Sequence, residues 1–508
     1  MKSKQALKNI FSVILMQLAM AVSGFILPHF FITVYGSAIN GMISSVTQFL
    51  SYLSLVEAGI SAASVLGLYV PLANGDIDER NRMLSYTKKF YFHSGILYTL
   101  LLVILMIVYP IIVKGQADSI TTRLMILVLA GSNLVDYYVL GKYRVLLTAD
   151  QRLYVINNVQ TLGTFLNVAV SLLLIYFREN VVIVKGAATL IYVLRSVIVI
   201  VYVRRKYERI SFDYPCEKGA ANNVIPQRWN ALFHQVVGVI CNNTDIVLIT
   251  ICLGARSLIE ASVYYVYNLV NTTFSSLFNS LSNALVPTFG ELFALKKDEE
   301  LKRAYSTFEY IFLMCIAVLF SCMYMLFLPF VEIYTKGAKD ADYSRPLIAV
   351  LFVVMGVMQS IRIPSLTMIC AAGHYKQTQY RALAEAIINF TVSIVLIFKL
   401  GIAGAVIGTI CSYAYRTTDC IVYTSRHLVN GTLKKSLLRV LRNVLVSVVM
   451  CFVFSRFING NVAGWGSFVL YGIVYAALTF VAVFAVNFLW EINEMKLLLN
   501  KVKGIVRK

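Results

Sequence analysis

The chain has 508 residues, of which 59% are hydrophobic and only 14% charged, and its mean hydropathy is +0.74. Soluble globular chains are closer to half apolar and about a quarter charged, so disorder, a collagen-like or disulfide-rich secreted fold and a large soluble enzyme are excluded. The 45 Lys and Arg outnumber the 25 Asp and Glu, giving a formal charge of +20, but the cations lie in short loops between apolar runs, which fits a membrane surface rather than nucleic acid.

A membrane-spanning helix needs about 20 mainly apolar residues. The pattern predicts an all-α polytopic membrane protein with about fourteen such helices, at 10–35, 39–72, 90–113, 121–146, 154–177, 180–203, 229–253, 257–292, 305–335, 345–371, 378–398, 401–424, 442–459 and 466–490. Lys2, Lys4 and Lys8 precede the first run, and Ala19-Met20-Ala21 resembles a cleavage site. The run continues through Phe31 and Val34, so an uncleaved first span is expected. The fifth and sixth spans nearly touch, as do the eleventh and twelfth, which demands tight turns. Eight of the nine cysteines lie in apolar runs, only Cys216 is in a polar loop, and no CxxC occurs. Small buried hydrophobes are the expectation, with no metal or disulfide.

Positive charge sets the orientation. With the N-terminus inside, inner loops collect Arg80, Arg82, Lys88 and Lys89, then Lys142, Arg144 and Arg152, then Arg204, Arg205, Lys206 and Arg209. Lys296, Lys297, Lys302 and Arg303 follow, then Lys376 and Arg381, then Arg426, Lys434, Lys435, Arg439 and Arg442. About 32 cations fall inside and about 10 outside, so both termini are expected in the cytoplasm. Trp229, Trp465 and Trp490 all fall at predicted helix ends, as an aromatic belt requires.

The chain also repeats itself at an offset near 221. Asp78-Glu79-Arg80-Asn81-Arg82 parallels Glu299-Glu300-Leu301-Lys302-Arg303, and Arg195…Val201-Tyr202 parallels Arg416…Val422-Tyr423. Asn167, Val170 and Ser171 parallel Asn389, Val392 and Ser393 one residue further on. Six helices separate equivalent points, and an even number preserves direction, so two parallel six-helix repeats are predicted. The boundaries expected are an N-terminal lobe at 1–205, a cytoplasmic linker at 206–228, a C-terminal lobe at 229–425, and two added helices with a basic tail at 426–508. A wet cavity between lobes, worked by alternating access, is the expected substrate site.

Tyr35-Gly36-Ser37-Ala38-Ile39-Asn40-Gly41, Gln48-Phe49-Leu50-Ser51-Tyr52-Leu53, Glu57-Ala58-Gly59 and Leu68-Tyr69-Val70-Pro71-Leu72 resemble the first two helices of Wzx-like O-antigen and capsule flippases. These belong to the multidrug/oligosaccharidyl-lipid/polysaccharide (MOP) superfamily, whose MATE-like lobes match the predicted repeat. Asp245 with Gly254 and Tyr264-Tyr265 is similar to that family's seventh helix, and Gly401-Ile402-Ala403-Gly404-Ala405 with Thr409 to its twelfth. His29 stands where some relatives carry arginine on the first helix. The resemblance implies a flippase in the bacterial cytoplasmic membrane, moving undecaprenyl-diphosphate-linked oligosaccharide from the inner to the outer leaflet. It implies no cofactor, with H⁺ or Na⁺ coupling open. The partners it implies are the lipid-linked cargo, anionic lipids at the basic loops and other polysaccharide-assembly membrane proteins, with no nucleic acid among them.

Ionisable groups at membrane depth are costly and therefore mark candidate sites. Arg195 and Arg416 occupy equivalent places and suit a diphosphate, whose geometry matches guanidinium. The structural alternative is snorkelling or a local pair, favoured at Arg416 by Asp419 three residues on. Arg362 lies beside Pro364 and either lines a cavity or satisfies a carbonyl that the proline frees. Asp245, Asp136 and Glu57 are coupling candidates, against a reading as hydrogen-bonded structural carboxylates. His29 follows Pro28 and either titrates or plugs a kink, and Glu385 is placed near the inner surface. Asn279 and Asn283, in a helix rich in Ser and Thr, offer a sugar-binding wall or small-residue packing. Tyr264 either stacks on sugar or packs.

No GxxxxGK[ST], strand-linked glycine motif or HExxH occurs. The competing functions are a cation-coupled exporter of drugs or small molecules in the same superfamily and, from another class, a membrane glycan polymerase or ligase. The second calls for a large outer loop, and no predicted outer loop exceeds roughly a dozen residues. A non-enzymatic transporter is therefore expected.

Overall fold

The structure, a computed structural model, describes residues 2–58, 60–215, 228–457, 462, 464–492 and 494–495. Among these the secondary structure is entirely helical. The α-helices are α1 (Lys2–Phe30), α2 (Ser37–Leu53), α3 (Ile60–Asn74), α4 (Ile77–Ile112), α5 (Ser119–Val135), α6 (Gly141–Ala149), α7 (Leu153–Tyr176), α8 (Val181–Lys206), α9 (Arg228–Cys252), α10 (Ser257–Ala294), α11 (Asp298–Tyr334), α12 (Pro346–Ile361), α13 (Ile363–Ala371), α14 (Tyr375–Leu400), α15 (Ile402–His427), α16 (Leu433–Phe457) and α17 (Trp465–Trp490).

Eleven helical runs among the described residues are long and apolar enough to cross a membrane. The three remaining expected spans fall on α2–α3, α10 and α15; α2 and α3 are short by themselves, at 17 and 15 residues. A wide π turn at Phe31–Tyr35 extends α1, and a second, Asp136–Leu140, joins α5 to α6. Helix starts follow side-chain capping: Asp76 accepts from the Glu79 amide at 3.0 Å, Asp118 from Thr121 at 2.9 Å and Asn180 from Val182 at 2.9 Å. The tight turn expected between the eleventh and twelfth spans is a single residue, Gly401, with φ +59°. The helices beside it close to backbone contact: a Cβ on Gly408 would lie 2.1 Å from Ser393 Oγ.

The chain divides into two compact units. The first is Met1–Tyr265 with Gly337–Ala341, in which α1 packs on α7, α7 and α5 on α8, α4 on α5, and α2 on α9. Its core includes Phe31, Met42, Tyr98, Tyr109, Met125 and Leu146. Helix α2 is polar because it bonds sideways. Asn40 donates to Ser262 at 2.8 Å, and Ser45 and Tyr52 pair with Thr250 and Thr244, each at 2.7 Å. Asp340 accepts from the backbone amide and hydroxyl of Ser37, both at 2.7 Å, and so caps α2 from a remote loop.

The second unit is Val266–Lys336 with Asp342–Lys508, in which α14 packs on α15, α15 on α12, and α11 on α12, α16 and α17. Of the eight described cysteines only Cys241 and Cys420 are buried, and Cys315 and Cys411 are exposed. This corrects the expectation of uniformly buried cysteines: an apolar run in a membrane protein also supplies the lipid-facing surface. Cys216 and most of the expected linker lie outside the described residues.

Candidate functional site

In the first unit the π turn places Asp136 two turns ahead of Arg144, and the two meet at 3.0 Å. Arg144 also lies 3.7 Å from Glu57, which ends the short 3₁₀ turn after α2. The Tyr91 hydroxyl of α4 donates to the same Glu57 oxygen at 2.5 Å. Gly141 leaves room for this, since a Cβ there would sit 2.3 Å from the Tyr91 ring. Glu57 and Asp136 therefore share one cation. The charge pattern puts Arg144 in an inner loop, but α6 runs on to Ala149, which draws it into the helical interior. Its position eight residues after Asp136 was the available signal.

Helix α8 carries two further cations. The Arg195 guanidinium lies 4.6 Å from the Tyr192 ring centroid, and its Cδ sits where a Cβ on Gly163 would be, 1.9 Å away. Its buried Nε has no hydrogen-bond partner, and Arg195 makes no ion pair among the described residues. Lys185 Nζ lies 4.3 Å from the Phe31 ring centroid.

The second unit holds a denser network. Arg362, between α12 and α13, pairs with Glu385 of α14 and lies 4.4 Å from the Tyr413 ring centroid. Arg416 of α15, 4% exposed, contacts Asp419 at 2.7 Å and Glu385 at 3.6 Å. Arg381 completes the set by pairing with Asp419. Glu385 is well inside α14 and buried, a correction to its expected place at the inner surface, because α14 starts at Tyr375, ten residues earlier.

Asp245 is buried on α9 and accepts from the Tyr264 hydroxyl at 2.7 Å. Both belong to the first unit, and Tyr264 is buried rather than open for stacking. His29, in the last turn of α1, lies edge-on to Phe30 with centroids 5.2 Å apart. Asn279 and Asn283 are exposed on α10, and with Thr272, Ser276 and Ser280 they form one stripe at helical spacing. Beyond these candidates, α11, α12 and α16 enclose an apolar cleft of ≈ 490 Å³ lined by Phe320, Val354, Val444, Val448 and Phe452. No cluster of His, Cys, Asp and Glu fit for a metal occurs among the described residues.

Comparison with solved structures assigns the fold. The lipid II flippase MurJ in an inward closed conformation aligns with TM-score 0.66 at 13% identity, over 96% of this chain and 99% of that one. The chain shares the fold of that structure. An inward-facing multidrug-resistance MATE family transporter of the MOP superfamily aligns with TM-score 0.62 at 14% identity, over 85% of this chain and 96% of that one. The eukaryotic MATE transporter AtDTX14 gives 0.61 at 13%, over 87% and 98%. No protein-family model matches the chain, and neither does any curated protein. The fold is thus one that transporters of known structure share, and its long apolar helices fit a multi-pass membrane protein.

Proposed function

We propose that this chain moves an amphiphile with a large polar head, a lipid-linked oligosaccharide, from the inner to the outer leaflet by alternating access. The observation that carries this reading is the exposed stripe Thr272, Ser276, Asn279, Ser280 and Asn283 on α10. Uncharged hydroxyls and amides on a membrane-length helix form hydrogen bonds in both directions, as sugar hydroxyls require. A glycan cannot cross hydrocarbon without such partners. Arg195, which makes no ion pair among the described residues, suits an anionic linkage between sugar and lipid. Alignment with the flippase over nearly the whole of both chains agrees with this.

The second reading is a cation-coupled exporter of small molecules. Several of the matched structures are MATE transporters, and by themselves the comparisons back this reading more strongly than the first. The carboxylates Glu57 and Asp136, sharing Arg144, suit coupling in either case: a proton taken up by one shifts Arg144 toward the other.

The two part in a reconstituted assay. Liposomes containing the purified chain and a fluorescent undecaprenyl-diphosphate oligosaccharide should show quenching of inner-leaflet probe by external dithionite, and Asn279→Ala with Asn283→Ala should slow it several-fold. Ethidium efflux driven by a pH gradient, without movement of the glycolipid, would establish the exporter instead.

A further inference from the structure

Arg195 and Arg416 occupy matching places. Each lies on the second helix of a hairpin, α7–α8 or α14–α15, and the offset that pairs them runs through the rest of the repeat. Their neighbours differ in charge. Arg416 touches two carboxylates, Asp419 at 2.7 Å and Glu385 at 3.6 Å. The repeat offset that aligns Asn167 with Asn389 aligns Gly163 with Glu385, and the one that aligns Arg195 with Arg416 aligns Ile198 with Asp419. Both carboxylates are therefore missing around Arg195. The nearest, Asp136, is held by Arg144 at 3.0 Å and does not reach ion-pair distance of Arg195.

Arg195 does not face lipid. Ile191 and Val199, one turn to either side, and Val184 on the same face are buried, whereas Leu190, Leu194, Val197, Ile198 and Val201 form the exposed face. Nor does it run to the basic end of the helix at Arg204–Lys206, about 14–17 Å away along the axis. It folds back over Tyr192, one turn in the opposite direction. Lys185 sits on the same interior half of α8 with buried Val181 and Ser196, about 15 Å from Arg195 along the axis, and likewise makes no ion pair among the described residues. A guanidinium in a helical interior without a carboxylate is expensive, and the other hairpin shows that this fold has places for such carboxylates.

We propose that α8 is the anion-holding helix: Arg195 contacts the phosphate-type anion of the lipid-linked cargo, Lys185 offers a second station along the same helix, and Arg416 is a structural cation. This rests on the glycolipid reading above and assigns its anionic part to one hairpin of the two.

The test uses the full chain in detergent, with farnesyl diphosphate as probe and farnesol and inorganic diphosphate as controls, read by thermophoresis. The native chain should bind farnesyl diphosphate and neither control comparably. Arg195→Gln should weaken binding about tenfold, the scale of one charge-assisted hydrogen bond, and Arg195→Lys less. Gly163→Ala should also weaken it, by displacing the guanidinium without removing charge. Arg416→Gln should lower the melting temperature while its folded fraction keeps native affinity. If Arg195→Gln misfolds by size exclusion, Arg195→Lys and Gly163→Ala decide. Native binding with unchanged affinity in the Arg195 and Gly163 variants overturns this assignment alone, as does an equal loss in folded Arg416→Gln. Equal binding of inorganic diphosphate overturns the lipid-borne source. No binding of any diphosphate by the native chain overturns the glycolipid reading with it.

Discussion

Arg439 shows what a committed structural cation looks like in this chain. It is 1% exposed, and its nitrogens donate to the Ser306 carbonyl at 2.9 Å, Glu309 at 3.1 Å and Glu491 at 2.5 Å. Arg442 joins Glu491 at 2.9 Å, and Lys435 reaches Glu494 at 2.8 Å. Removing one partner strands buried charge, so Arg439→Met should destabilise the protein by about 3–5 kcal/mol, measured by thermal unfolding in detergent. Burial opposes ionisation of Glu491, but its hydrogen bonds from Arg439 and Arg442 outweigh that and hold its carboxyl below the usual value of 4.5. A lowered folded pKa gives stability that is full above 4.5 and lost as pH falls through the folded value. The native melting temperature should therefore drop on acidification below that point, and the Arg439→Met curve should be flatter there. The deep charges Arg195, Arg362, Arg416, Glu57, Asp136 and Asp245 were legible as single residues, because any ionisable group within an apolar run stands out. Their partners were not. Arg362 meets Glu385 across two helices, and only the local pair of Arg416 with Asp419 was readable, from its i, i+3 spacing.

At the scale of elements, the hydrophobic pattern located every membrane-length helix to within a few residues at most ends, and it missed what happens inside them. The wide π turns at Phe31–Tyr35 and Asp136–Leu140 leave the apolar pattern unbroken, so periodicity gives no sign of them. Helix starts such as Leu433 and Tyr375 lie earlier than hydropathy suggests, because charged first turns, paired in three dimensions, read as loop. That is why Arg439 and Arg442 read as inner-loop residues. The second π turn owes its packing to Gly141, against which Tyr91 lies before reaching Glu57. A methyl group there meets the ring at 2.3 Å and the Asp136 carbonyl oxygen at 2.9 Å. Gly141→Ala should cost about 1–3 kcal/mol of stability by overpacking. Gly115→Ala, where nothing lies within 4 Å but φ is +84°, provides the comparison for backbone strain alone. Equal melting temperatures for Gly141→Ala and the native chain would show that Tyr91 yields without penalty.

Orientation is a property of the whole chain, and no single loop decides it. Each inner-side cation adds only a modest bias, but the bias accumulates over an alternating series. The described connections at 150–152, 207–215, 295–297 and 372–374 fall on one side if each helical run crosses once, and those at 113–118, 177–180 and 253–256 fall on the other. The first set is flanked by more basic residues than the second: Arg144 and Arg152, then Arg204–Lys206, then Lys296 and Lys297, then Lys376 and Arg381, against Lys114, Arg123, Arg178 and Arg256. Alternation survives only if α2 with α3, α5 with α6, and α12 with α13 each make one pass between them, and if the polar helices α10 and α15 cross as well. A single orientation therefore tests the spans that hydropathy alone does not certify. Cysteines placed singly at Ser119 and Arg178 should react with a membrane-impermeant maleimide on intact cells, and those at Gln151, Lys296 and Gln377 only after permeabilisation, with the modified peptide identified by mass. Labelling of Lys296 from outside while Gln151 stays protected would mean that an odd number of the helices α7 to α10 cross, and the parallel repeat on which the pairing of Arg195 with Arg416 depends would then fail.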